Sequence, residues 1–215
     1  MRTMNRLLMA AAALAIGGPI FADLGQSQKP APPGEWPAYH RDLASSRYSP
    51  LDAIDRANAG ALAVAWQWKS ETTGQTPVEF NNETTPIMVG GVLYFATGTT
   101  RTVVAADAAT GATKWTWHLD EGPRAQKAPR RDSGRGVSYW TDGSSERIFV
   151  VTPGFQLVAL DARSGAPVES FGDHGVVDLK MQLGVPIDVN TAAIGNSTPP
   201  LVFENFVVIG PALDC

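Results

Sequence analysis

Cysteine is nearly absent from this chain: Cys215, its last residue, is the only one. A single thiol makes no internal disulfide, so stability must come from burial, from a bound group or from further sequence. No lipobox cysteine follows the N-terminal apolar run, which argues against a lipoprotein. Histidine is scarce too, and His40, His118 and His174 show no metal-ligand spacing. Glycine-rich phosphate loops, nucleophile elbows and zinc motifs are missing. Basic charge is in the minority, with 17 Lys and Arg against 21 Asp and Glu and a net charge of −4. Without a basic stripe, nucleic-acid binding is excluded as an expectation. Long periodic helices are lacking as well; Leu51–Ala63 is the best candidate for a short one.

The one apolar run of note lies at the N-terminus. Arg2 and Arg6 precede Leu7 to Ile16, and Gly17-Gly18-Pro19 breaks the run. This pattern reads as an export signal covering residues 1–22, with Ala22 the last residue before cleavage. The run is short for a bilayer span. The expected location is therefore the periplasm; anchoring to the inner membrane by an uncleaved signal is the alternative. Residues 23–35, with Gln, Lys and prolines, read as a flexible linker.

What the chain has in quantity is turn residues, 21 Gly and 16 Pro, set between short apolar runs. That composition favours many short strands in a sandwich, barrel or propeller. A repeat selects among them. Val104-Ala105-Ala106-Asp107-Ala108-Ala109-Thr110-Gly111 is echoed by Val158-Ala159-Leu160-Asp161-Ala162-Arg163-Ser164-Gly165, 54 residues on. Each copy follows an apolar run, Val92–Ala96 or Ile148–Val151, and a third run, Phe206–Ile209, lies near the end. The spacing fits propeller blades with a loop insertion, and such blades bury their cores only between neighbours. The predicted first blade has strands at Thr84–Val89, Val92–Thr97, Thr102–Ala106 and Lys114–His118. The second strand is expected to be buried on both faces, and Trp115 and Trp117 to cover the next blade. The second blade runs through Arg147–Thr152 and Gln156–Leu160 to Phe171, without a matching tryptophan. A third begins at Ser197-Thr198-Pro199-Pro200.

Several segments then carry a resemblance. They are Gly34-Glu35-Trp36-Pro37-Ala38-Tyr39-His40-Arg41 with Arg47-Tyr48-Ser49-Pro50, Asn82-Glu83-Thr84-Thr85-Pro86, Ala105–Trp115, and Arg135-Gly136-Val137-Ser138-Tyr139-Trp140. Together they resemble the quinoprotein alcohol and sugar dehydrogenases over residues 34–215. Ser197-Thr198-Pro199-Pro200 followed by Gly210–Asp214 is similar to the membrane-type glucose dehydrogenase branch. The resemblance implies an all-β, eight-bladed propeller holding pyrroloquinoline quinone (PQQ) beside calcium. Fewer than three of the blades are present, so residues 36–215 are expected to be the N-terminal part of that propeller. It also implies oxidation of an alcohol or sugar C–OH by hydride transfer to PQQ, with electrons passed to ubiquinone or a cytochrome. Peripheral membrane association is a further expectation.

By the same resemblance, Glu83, Arg135 and Ser197 contact PQQ, and Asp214 is an acidic metal ligand. A fixed guanidinium suits one of the cofactor's three carboxylates, or the quinone oxygen where charge develops. Calcium takes six to eight oxygen ligands, so one aspartate cannot build its site. A thiol is a poor calcium ligand, and Cys215 stands where the branch has an oxygen-bearing residue. The catalytic base is expected beyond residue 215. Arg124, Lys127, Arg130 and Arg131 read as a solvated loop. The family's vicinal disulfide has no counterpart in Arg130-Arg131-Asp132-Ser133-Gly134. Arg131 stands where the glucose branch has histidine, so glucose specificity is not supported. The alternative reading is a non-catalytic propeller serving as a protein-interaction scaffold.

Overall fold

The structure, a computed structural model, describes residues 31–70, 82–181 and 183–213. The expected signal peptide, most of the linker, and Asp214 and Cys215 lie outside the described residues. Among the described residues no helix is long and apolar enough to cross a membrane.

Two four-stranded antiparallel meanders form the body. The first is β1 (Ile87–Val89), β2 (Val92–Thr97), β3 (Thr102–Asp107) and β4 (Thr113–Trp117), paired in that order. The short helix α1 (Pro123–Gln126) follows. The second meander is β5 (Ser138–Thr141), β6 (Glu146–Val151), β7 (Gln156–Asp161) and β8 (Val176–Asp178). Beyond it lie β9 (Ile194–Gly195), the hairpin of β10 (Leu201–Phe203) and β11 (Phe206–Val208), and β12 (Ala212–Leu213), which pairs with β9.

Period-two alternation decides how these sheets stack. On β6 and β7, Ile148, Val150, Val158 and Leu160 face the first sheet and meet Ile87, Tyr94, Ala96, Val103 and Ala105 in one core. Their neighbours Phe149, Val151, Leu157 and Ala159 face the other way, where Val202, Val207 and Ile209 pack. The second sheet is therefore a blade between two others. Each fully buried Ile, Leu or Val here contributes about 1.5–3 kcal/mol of apolar burial.

The repeated octapeptide is the device that closes each blade. Asp107 Oδ1 accepts from the backbone N–H groups of Ala109 and Thr110, and Gly111 turns the chain at φ +73°. Asp161 does the same for Arg163 and Ser164, with Gly165 at φ +74°. Hydrogen bonds donated by the Thr110 and Ser164 hydroxyls, with those of the backbone N–H groups, hold both aspartates below the usual carboxylate range. Each turn also receives a tryptophan from the preceding unit. Trp66 Nε1 donates to Ala108 O at 3.1 Å, and Trp115 Nε1 donates to Ala162 O at 3.0 Å. A Cβ on Gly165 would lie 2.6 Å from the Trp115 ring, so glycine leaves the indole its seat. Trp117 packs at the margin of the same inter-blade core.

Several expectations need correction. Leu51–Ala63 is not a helix: only Ala59–Ala61 makes a 3-10 turn. Asp55 and Asn58 bond each other's backbone, and Asn58 Nδ2 donates to Ala53 O, so local side chains take the groups a helix needs. The second strand is fully buried only at Tyr94, Ala96 and Thr97. In the second blade the outer strand is Val176–Asp178, not a segment ending at Phe171. Residues 166–175 loop out first, and Phe171 packs edge-on against Phe149 with ring centroids 5.5 Å apart. The described end of the linker is anchored: Glu35 accepts from Gly90 N, and Trp36 exchanges backbone bonds with Met88.

Arg124 is the largest departure from the solvated-loop reading, being 7% exposed. Its Nη1 and Nη2 donate to both oxygens of Asp178 at 2.6 and 2.7 Å, and its Nε donates to Gly154 O. The pair holds the Asp178 carboxyl below its ordinary value. Beside it, Glu121 accepts from Thr152 Oγ1, Gly154 N and Gln156 Nε2, each at 2.7 Å. Residues 121–124 thus pin the inter-blade connection to the β6–β7 turn.

Candidate functional site

The three blade units are stitched together at the start of their inner strands. Thr85 N donates to Arg135 O at 3.0 Å, and Arg135 N donates to Ser197 O at 2.8 Å. Each of these residues stands just before an inner strand, β1, β5 or β10, so the bonds run from one blade to the next. The approach is close. A Cβ on Gly136 would lie 2.8 Å from Thr85 O, and its φ of +133° suits only glycine. Ser138 anchors the same junction from below, its hydroxyl donating to Pro200 O.

This stitching brings Glu83, Arg135 and Ser197 to one cavity of about 220 Å³. Arg101, Arg130, Asp132, Ser133 and Gly134 complete its lining. Arg135 Nε donates to Glu83 Oε2 at 3.2 Å, with the side chains 45% and 46% exposed. An ion pair that open contributes about 0–1 kcal/mol to stability. Among the described residues only Nε of Arg135 is engaged, which leaves the Nη edge to meet a further anion. The lining holds three guanidinium groups against two carboxylates, an excess of positive charge suited to an anionic ligand.

The sequence marks Arg130, Asp132, Ser133 and Gly134 only as the segment that lacks the family's vicinal disulfide, and Arg130 also as one of a local run of basic residues; Arg101 is not marked at all. Nothing near Arg101 marks an arginine as buried. Thr198 Oγ1 accepts from Asn196 Nδ2 at 3.1 Å, and Thr198 is not part of the cavity lining. Arg131 Nη1 donates to Gln126 O at 3.3 Å and is not part of the cavity lining. Among the described residues no group of three or more His, Cys, Asp or Glu side chains forms a metal site. Asp214, the expected metal ligand, lies outside the described residues.

Known proteins are similar to this chain in sequence and in fold. The chain is 31% identical over 209 residues to the quinoprotein glucose dehydrogenase of Escherichia coli (strain K12), covering 90% of this chain and 26% of the relative. It is 34% identical over 194 residues to the glycerol dehydrogenase large subunit of Gluconobacter oxydans, covering 86% and 25%. The solved structure of a quinohemoprotein alcohol dehydrogenase from Pseudomonas putida HK5 superposes with a TM-score of 0.64 at 30% identity, over 84% of this chain and 23% of that one. The chain thus spans about a quarter of the length of these relatives. The glucose/ethanol/alcohol dehydrogenase PQQ β-propeller domain matches residues 36–214, and the stacked four-stranded blades are those of that fold. By sequence and by architecture alike, the chain belongs to the PQQ-dependent dehydrogenase β-propeller family.

Proposed function

We propose that this chain supplies one wall of the PQQ site of a dehydrogenase that oxidises the C–OH group of an alcohol or an aldose. The observation that carries the reading is the convergence of Glu83, Arg135 and Ser197 from successive blade units on one cationic cavity. PQQ bears three carboxylates, and an excess of guanidinium over carboxylate suits it. The cavity, at about 220 Å³, is smaller than the ~300 Å³ at which ligand sites begin. The described residues therefore hold one side of a larger site.

When bound, the ortho-quinone supplies the acceptor for the hydride taken from the substrate carbon. This chain's residues bind and orient. Arg135 offers its Nη edge to a carboxylate or a polarised oxygen, where charge-assisted bonds are strong. Glu83 fixes Arg135 through the 3.2 Å bond and keeps its fork from swinging to solvent. Ser197 adds a hydroxyl at the third blade, held in place by the bond from Arg135 N. Among the described residues no three His, Cys, Asp or Glu side chains gather around a common point, and Asp214 is proposed as one oxygen ligand of calcium among others from elsewhere. Export to the periplasm and transfer of electrons to ubiquinone or a cytochrome complete the proposal. Arg131, turned away to Gln126, leaves the choice between sugar and alcohol open.

Titration of the purified chain with PQQ, followed by tryptophan fluorescence, tests the reading. Saturable binding near one equivalent is the expected result. Absence of saturation would favour the scaffold alternative.

A further inference from the structure

We infer that Arg101 is a positioning residue: its buried guanidinium is the template around which residues 130–135 fold, and so it fixes where Arg135 stands. For the identity of the ligand this rests on the PQQ reading; the clamp itself does not.

Arg101 is 3% exposed, yet it lines the cavity. Its guanidinium donates only to backbone carbonyls. Nε donates to Asp132 O at 3.1 Å and Nη2 to Arg130 O at 2.8 Å, both in the loop that leads to Arg135. Nη1 donates to Val151 O at 2.9 Å and Thr152 O at 3.4 Å, at the end of β6. One planar fork therefore ties the loop to the rigid second blade. Lysine, a point charge without the fork, cannot reproduce that geometry. Gly134 lies flat on the guanidinium: at φ +67°, its Cβ would stand 3.0 Å from Nε. Arg135 follows directly.

Two further observations separate this role from ordinary packing. Among the described residues no carboxylate forms an ion pair with Arg101; Glu121 and Asp132 act on its charge only through space. Burial pushes its pKa down to about 10, with Glu121 and Asp132 opposing, and it remains cationic at neutral pH. Its backbone also sits at φ +50°, a conformation that a non-glycine residue adopts at a cost. Strain of this kind is kept where the surroundings over-determine it, commonly at functional sites.

The test uses the full chain with R101M, R101K and G134A. Hydrogen exchange is read on a peptide spanning residues 128–137 and on the β6–β7 strands, alongside PQQ affinity and the melting midpoint. R101M is expected to speed exchange across 130–135 at least tenfold, leave β6–β7 protected, and weaken PQQ binding at least tenfold. R101K is expected to fall between wild type and R101M. Unchanged loop exchange in folded R101M overturns the inference. So does a lowered melting midpoint with an unchanged dissociation constant, which is what a purely stabilising residue would give. Should R101M fail to fold, R101K and G134A decide on the same readouts. If the wild-type chain binds no PQQ while R101M still loosens the loop, the clamp stands and the ligand reading falls.

Discussion

Trp115 and Tyr94 converge on a single carbonyl. Trp115 Nε1 donates to Ala162 O at 3.0 Å and the Tyr94 hydroxyl donates to the same oxygen at 3.1 Å. Two side chains of the first blade thereby clasp the turn that ends the third strand of the second. Burial, with Glu146 and Asp161 nearby, pushes the Tyr94 hydroxyl up to about 12, so it donates at all ordinary pH.

This clasp predicts a stability effect at Gly165. In G165A the new methyl meets the Trp115 ring at 2.6 Å, and alanine must adopt φ +74°. The two costs together amount to about 2–4 kcal/mol. Denaturant titration should show that loss in G165A, whereas G143A, in a hairpin tip with open space around it, should lose less.

Acid should weaken the blade connection through Asp178. Its carboxyl is held below its ordinary value by the bonds from Arg124, so its contribution is complete above pH about 4 and is lost as pH falls through the lowered native value. D178N should cost about 2 kcal/mol at neutral pH. The gap between wild type and variant should close below pH about 4, as measured by denaturant midpoints across pH. A gap that stays constant would show that charge plays no part.

Much of this architecture was legible because it is local. Asp107–Gly111 and Asp161–Gly165 announce their turns by residue type, and the strands beside them by unbroken apolar runs. The meeting of Glu83 with Arg135 came from family resemblance, since 52 residues separate them and no local signal joins them. Arg124 and Arg101 escaped for one reason. Their partners are an aspartate 54 residues away and backbone carbonyls up to 51 residues away, which composition cannot reveal. The outer strand of the second blade was misplaced because the 166–175 loop breaks the register of the repeat.

Outer faces left without a neighbouring blade predict inactivity of the isolated chain. Leu62 and Val64 are 63% and 74% exposed before the first blade, and Phe206 is 66% exposed after the second. Apolar edges of this kind favour association. Dye reduction with added PQQ and calcium, over a panel of alcohols and aldoses, should give no turnover. Measurable turnover would show that these blades suffice.

The central claim is that Arg135, held by Glu83, grips an anionic quinone. The most direct measurement is the PQQ dissociation constant of wild type against R135M, at low and moderate salt. Losing a charge-assisted bond of about 1.5–3 kcal/mol should weaken binding roughly tenfold or more, and added salt should narrow the difference. Equal affinity in wild type and R135M would contradict the account.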